Sequence, residues 1–207
     1  AMSKPLILVV NDDGVTSQGI KALVEAVKDL GEVVVVAPDS PQSGMGHAIS
    51  IGKPLRLTEV HLFEGIKAYE CSGTPADCVK LGKHYVLKDR VPDLVVSGIN
   101  HGSNTSISVL YSGTMSAALE ASIESIPSIG FSLLDLSIEA DFSAAKHFAG
   151  IIIAKLLADK SLDKHLCLNV NIPKVPTELV KGIKICKQAY AKYEEKFVER
   201  TDPHGKK

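Results

Sequence analysis

Leu6-Ile7-Leu8-Val9-Val10-Asn11-Asp12-Asp13-Gly14 is an apolar run that ends abruptly in an amide, two adjacent carboxylates and a glycine. So short a stretch of Leu, Ile and Val reads as a strand buried on both faces. Open α/β sheets bind their ligands beyond the carboxyl ends of such strands, which is where Asp12 and Asp13 fall. Neighbouring side chains in a strand point to opposite faces, so the two carboxylates converge only once the chain has left the pleat. Gly14, with no Cβ, permits that turn. Two close carboxylates raise one another's pKa unless a cation lies between them. A hard, oxygen-liganded divalent ion such as Mg²⁺ or Mn²⁺ suits the pair. The same residues also suit a plain polar turn in which Asp13 or Asn11 caps the next helix. The tetrapeptide alone does not separate the two readings.

Working outward, strand-like and helix-like patterns alternate. Ile20, Leu23, Val24, Val27 and Leu30 recur at helical spacing and end at Gly31, and residues 33–37 form a second β-branched run stopped by Pro38. Strand-like pieces follow at 49–51, 55–62 and 66–71. Thr74-Pro75-Ala76-Asp77 reads as a helix start, with Thr74 as N-cap and Pro75 in the first turn, the helix body covering 79–86. Residues 94–97 form another buried strand, 113–125 a helix, 126–133 a strand and 142–157 the last long helix. Residues 166–172, 183–186 and 193–199 read as strands without intervening helices. The expected fold is α/β: a Rossmann-like, mostly parallel sheet flanked by helices, with a smaller β-rich C-terminal section. At 207 residues we expect one domain spanning 1–207, its core covering about 5–160.

The chain is 45% hydrophobic and 23% charged with a net charge of −1, ordinary for a globular protein and without the basic stripe of a nucleic-acid binder. No apolar run reaches bilayer length, since Lys155 interrupts the longest, 148–158. A secretory leader is not expected, because Leu6 to Val10 runs straight into acidic residues. Cys71, Cys78, Cys167 and Cys186 lack CxxC spacing and read as free thiols in a reducing compartment, so a cytoplasmic location is expected.

Polar loops follow three of the strands: 11–16, 39–44 and 97–105. Parallel strands would bring all three to one sheet edge. There Asn100 offers an amide oxygen and Ser43 a hydroxyl, both acceptable to a hard cation, although a loop serine more often bonds its own backbone. Tyr111-Ser112-Gly113-Thr114 opens a helix and can form an anion site from free N–H groups; an ordinary N-cap is the plainer alternative. The preceding Gly98-Ile99-Asn100-His101-Gly102-Ser103-Asn104 favours the ligand reading, being rich in glycine and amides. His47 and His101 stand in the same loops as candidate phosphate contacts. Phosphate-loop, dinucleotide-fingerprint, nucleophile-elbow and HExxH spacings are all missing from the chain.

Taken in order, Val9 to Gly14, Val35-Val36-Ala37-Pro38-Asp39, Ser43-Gly44-Met45-Gly46-His47, Gly73 to Val79, Pro92 to Asn100 and Tyr111 to Thr114 closely resemble the SurE family (stationary-phase survival protein E) of metal-dependent 5′-nucleotidases. Arg200-Thr201-Asp202-Pro203-His204-Gly205 resembles a family tail motif, whereas Val15 to Gly19 departs from the commoner family loop. The resemblance implies one divalent ion per subunit, Mg²⁺ or Mn²⁺, on Asp12, Asp13, Ser43 and Asn100. It implies a phosphate surrounded by Asn104, Ser112, Gly113 and Thr114. It also implies that the section from about 165 to 207 serves homodimer or homotetramer assembly. The expected reaction is hydrolysis of nucleoside 5′-monophosphates by a metal-activated water, with Asp12, Asp13 and Asn100 as the catalytic residues. The alternatives are a nucleotide- or phosphate-binding sensor without turnover, and a broader phosphatase or exopolyphosphatase. A dehalogenase-type phosphatase fits poorly, because its two aspartates stand one residue apart and here they are adjacent. No nucleic-acid polymer or membrane is expected as a partner.

Overall fold

The computed structural model describes residues 4–191, 194 and 196–206. Its centre is β1 (Leu6–Val10), buried along its whole length. Alternation along this strand divides the core. Ile7 and Val9 pack with the apolar faces of α1 (Gln18–Val27) and α5 (Ser143–Ala158) on one side of the sheet. Leu6, Leu8 and Val10 pack with α2 (Pro75–Leu81) and α4 (Gly113–Ile123) on the other. A strand with apolar residues on both faces demands such a two-sided cover.

The remaining strands are β2 (Glu32–Pro38), β3 (Leu57–Val60), β4 (Lys67–Cys71), β5 (Leu94–His101), β6 (Ser128–Leu133) and β7 (Cys167–Ile172). Their order is β3-β4-β2-β1-β5-β6-β7, and every neighbouring pair is parallel except β3 with β4. From β1 the chain first builds outward through β2 and β4, then returns to β1's other side with β5 and continues through β6 and β7. The strand order therefore reverses between β1 and β5, and the crevice at that reversal opens beside Asn11-Asp12-Asp13 and the end of β5.

The structure corrects several boundaries. Residues 49–51 are not a strand: they lie in the long connection 39–56, and Ile51 is exposed with no neighbouring strand to complete a ladder. The helix expected to run through residue 86 is α-helical only to Leu81 and continues as the π-helical turn Gly82–Val86. The strand at 94 extends to His101, with a register irregularity between Ser97 and Asn100 that re-aims the residues beyond it. A short helix, α3 (Ser108–Tyr111), precedes α4 and was not expected. β7, expected in a separate β-rich section, completes the main sheet beside β6. Residues 183–186 are not a strand, and Ile183 and Ile185 project into solvent. Of the strand expected at 193–199, residues 193 and 195 lie outside the described residues and the others are irregular. Beyond β7 the only regular element among the described residues is the 3₁₀ turn Thr177–Leu179.

Candidate active site

The turn after β1 is built by Asn11. Its side-chain amide donates to the Gly14 carbonyl at 2.8 Å and to Ser17 Oγ at 2.9 Å, and its Oδ1 accepts from the Gly14 N–H at 3.2 Å. Gly14 has φ +103°, a conformation side-chain-bearing residues rarely adopt. Ser17, which accepts from Ile20 N, is the cap of α1. Neither aspartate is used for capping that helix, so both are left for the crevice.

Asp12 is 3% exposed. Its Oδ1 accepts from Thr114 Oγ1 at 2.7 Å, and the Thr114 backbone N–H also bonds the carboxyl. Burial, and then the neighbouring charge of Asp13, push its pKa up to about 6, against the opposing pull of Thr114. Burial also raises the pKa of Asp13, against the opposing charge of His101. Asp13 Oδ2 is buried without any hydrogen-bond partner. A buried carboxylate oxygen left unpaired is costly, and a cation is the group that would satisfy it.

Three other segments close on this pair. Gln42 N donates to the Asp12 carbonyl at 2.7 Å, pinning the 39–56 connection next to Ser43. The amide of Asn100 donates to the Gly102 carbonyl at 3.0 Å, leaving its oxygen for a cation. Gly113 allows α4 to pack on Asp12, since a Cβ there would fall 2.6 Å from Asp12 Cβ. A cavity of about 190 Å³ lies between the segments, lined by Asp12, Ser43, Asn100, Asn104, Tyr111 and Ser112 among others. Asp12, Asp13, Ser43 and Asn100 offer carboxylate, hydroxyl and amide oxygens only, the donor set a hard divalent ion prefers. Among the described residues no three His, Cys, Asp or Glu side chains cluster as a metal cage, so a cation here must draw on neutral oxygens as well.

The residues expected around a phosphate divide into two groups. Asn104 and Ser112 reach the cavity wall. Ser112 Oγ is also the α4 cap, accepting from Met115 N at 3.0 Å. Thr114 is fully buried behind Asp12, so the helix end serves that carboxylate first. His101 lines the cavity, its ring edge-on to Phe142. His47 is committed elsewhere, 2.6 Å from Glu120 of α4. Sequence reasoning missed the amides Asn169 and Asn171 of β7, which reach Asn104. The available signal was the Asn-Val-Asn spacing at the carboxyl end of a parallel strand.

The family model described as Survival protein SurE matches residues 7–195. The chain belongs to the SurE family. It is 66% identical over its full length to the 5′-nucleotidase SurE of Cytophaga hutchinsonii, covering 79% of that protein. To the 5′-nucleotidase SurE of Bacteroides thetaiotaomicron it is 47% identical, with 98% of this chain and 77% of that protein covered. The crystal structure of the SurE protein from Aquifex aeolicus superposes with a TM-score of 0.83 at 42% identity, over 98% of this chain and 79% of that one. The Aquifex aeolicus SurE structure bears out the α/β fold with the mostly parallel sheet expected from the sequence. Among the described residues no helix is long and apolar enough to cross a membrane.

Proposed function

We propose that this SurE chain is a 5′-nucleotidase that hydrolyses nucleoside 5′-monophosphates to nucleoside and phosphate in the cavity between β1, β5 and α4. Its relatives' names support the activity. The observation that carries the metal-dependent form of this reading is the buried carboxylate pair, in which Asp13 Oδ2 lacks a partner and Asp12 is held at a pKa of about 6. One divalent ion, Mg²⁺ or Mn²⁺, would be held by Asp12, Asp13, Ser43 and Asn100. When bound, it would neutralise phosphate oxygens and make water a nucleophile near neutral pH.

The rest of the work belongs to the chain's own groups. Asn104 and Ser112 face the phosphate from the cavity wall, and Gly113 lets the start of α4 close on Asp12. Thr114 orients Asp12 and favours its ionised form. Asp12 or Asp13 holds the attacking water and accepts its proton. At about 190 Å³ the cavity is smaller than the roughly 300 Å³ at which sites for whole drug-sized ligands begin. It fits the phosphoryl end and leaves the nucleoside at the mouth.

Phosphate release from a panel of nucleoside monophosphates and polyphosphate, with Mg²⁺, Mn²⁺ or chelator, tests the reading. Activity is expected with metal and none with chelator. Asp12→Asn should lose metal affinity and at least about a hundredfold in rate, the scale of losses when partners of a metal site are removed. Nucleotide binding without any release would establish instead the sensor reading, and preference for polyphosphate the broader phosphatase. The same proposal treats the chain as a single cytoplasmic domain, with four unpaired cysteines. The section from about 165 serves homodimer or homotetramer assembly, supported by the exposed apolar side chains of Ile185 and Tyr190.

A further inference from the structure

Asn104 sits in the irregular loop between β5 and α3, yet it is nearly as buried as the core. No strand pairs with its peptide; side chains of β7 do so instead. The Asn104 N–H donates to Asn171 Oδ1 at 2.9 Å, and its carbonyl accepts from Asn171 Nδ2 at 3.2 Å and from Asn169 Nδ2 at 2.6 Å. The Asn171 amide therefore grips both polar groups of one residue, as a neighbouring strand would. A further bond, Asn171 Nδ2 to Asn169 Oδ1 at 3.1 Å, locks the two amides together.

Positions two apart on a strand share a face. In register with them on β6 are Gly130 and Ser132. Ser132 Oγ accepts from Asn104 Nδ2 at 2.7 Å, so the side chain is held as well as the peptide. An apolar anchor would have buried the loop without fixing its rotation. Four directed bonds from β6 and β7 set both the place and the angle of one cavity-lining residue.

We propose that Asn169 and Asn171 are positioning residues for substrate, holding Asn104 where it meets the phosphate. This rests on the reading of the cavity as a phosphate site. Displacement of a binding group by about 1 Å is enough to lose most of its effect. Because Asn104 would hold phosphate in ground and transition states alike, the loss should appear in KM rather than kcat.

The test compares Asn171→Leu, Asn104→Ala and the double variant, with a nucleoside 5′-monophosphate as substrate, inorganic phosphate as competitive inhibitor and Mn²⁺ binding measured separately. Asn171→Leu is expected to raise KM and the phosphate inhibition constant about tenfold, the scale of one or two lost hydrogen bonds. Its kcat and Mn²⁺ affinity should stay near those of the parent. Added to Asn104→Ala it should change little more, since both act on one contact. Asn169→Leu, which loses the bond to the carbonyl, should show a smaller rise and decides the matter if Asn171→Leu does not fold. Unchanged KM and inhibition constants in the β7 variants would overturn the proposal. So would a joint fall in kcat and Mn²⁺ affinity, or additivity with Asn104→Ala. An Asn104→Ala variant that binds phosphate normally would remove the phosphate reading itself, and this inference with it.

Discussion

Thr114 shows how one hydroxyl sets the chemistry of a neighbour. By donating to Asp12 it favours the ionised carboxylate, while burial and Asp13 oppose ionisation. Thr114→Val removes that donor with almost no change of shape, so the Asp12 pKa must rise above its value of about 6. On the proposed reading, protons then compete with the bound cation over a wider range. The acid limb of kcat/KM should move to higher pH, and Mn²⁺ binding at pH 6 should weaken, which a pH profile and a metal titration would read. Gly113 makes a sharper case. Helix propensity does not oppose alanine there, although Gly113 holds only the first position of α4 and the preference of about 1 kcal/mol belongs to helix interiors. The alanine Cβ would fall 2.6 Å from that of Asp12, and overpacking of a tight site costs about 1–3 kcal/mol. On the proposed reading the clash lies on an acid that the reaction needs, so Gly113→Ala should reduce turnover far more than it lowers the melting temperature.

The elements were legible to different degrees, for physical reasons. β1, β2 and the start of β5 carry unbroken runs of Val, Leu and Ile because they are buried on both faces, and α1 declares its amphipathic face, although it stops at Val27, short of the end expected at Gly31. The Thr74–Asp77 start of α2 was readable because its capping box is written in adjacent residues. Residues 49–51 and 183–186 have strand composition but no neighbour, and composition cannot supply a ladder. The meeting of Asp12, Ser43 and Asn100 followed from sheet-edge logic. The Asn169–Asn171 clamp did not, since it depends on β7 standing next to β6. Glu124 at the end of α4 is another such long-range contact, bonded to Lys83 and Lys80 on the α2 side. Lys83 foremost holds its carboxyl down to about 2, from an ordinary 4.5. A lowered carboxylate pKa stabilises the fold fully above the unfolded value and loses that effect as pH falls through the folded one. Glu124→Gln should therefore lower the melting temperature at pH 7. The gap to the parent should close between about pH 4.5 and pH 2, as thermal denaturation across that range would show.

At the scale of the whole molecule, the reversal of strand order between β1 and β5 gathers residues separated by about a hundred positions into one crevice. The tail reaches the same region, with Gln188 Nε2 donating to the Ser106 carbonyl at 2.7 Å, close to the loop that carries Asn104. Around that contact the tail exposes large apolar groups: Ile185 is 97% and Tyr190 89% exposed. Isolated apolar residues are common on surfaces, but several along one extended segment mark an interaction surface. On the proposed reading, that surface is covered by another copy of the chain. Replacing Ile185 and Tyr190 together by Asp and Ser removes the apolar area while leaving the sheet, both core clusters and the oxygen donors untouched. Light scattering should then report a monomer where the parent is a dimer or tetramer. On the proposed reading, activity per chain should fall through KM more than through kcat, because the tail touches the loop that carries Asn104, through Gln188, and none of the carboxylates. A variant that keeps the parent's mass would show that these side chains do not hold the assembly together. A monomer with unaltered KM would separate assembly from the site.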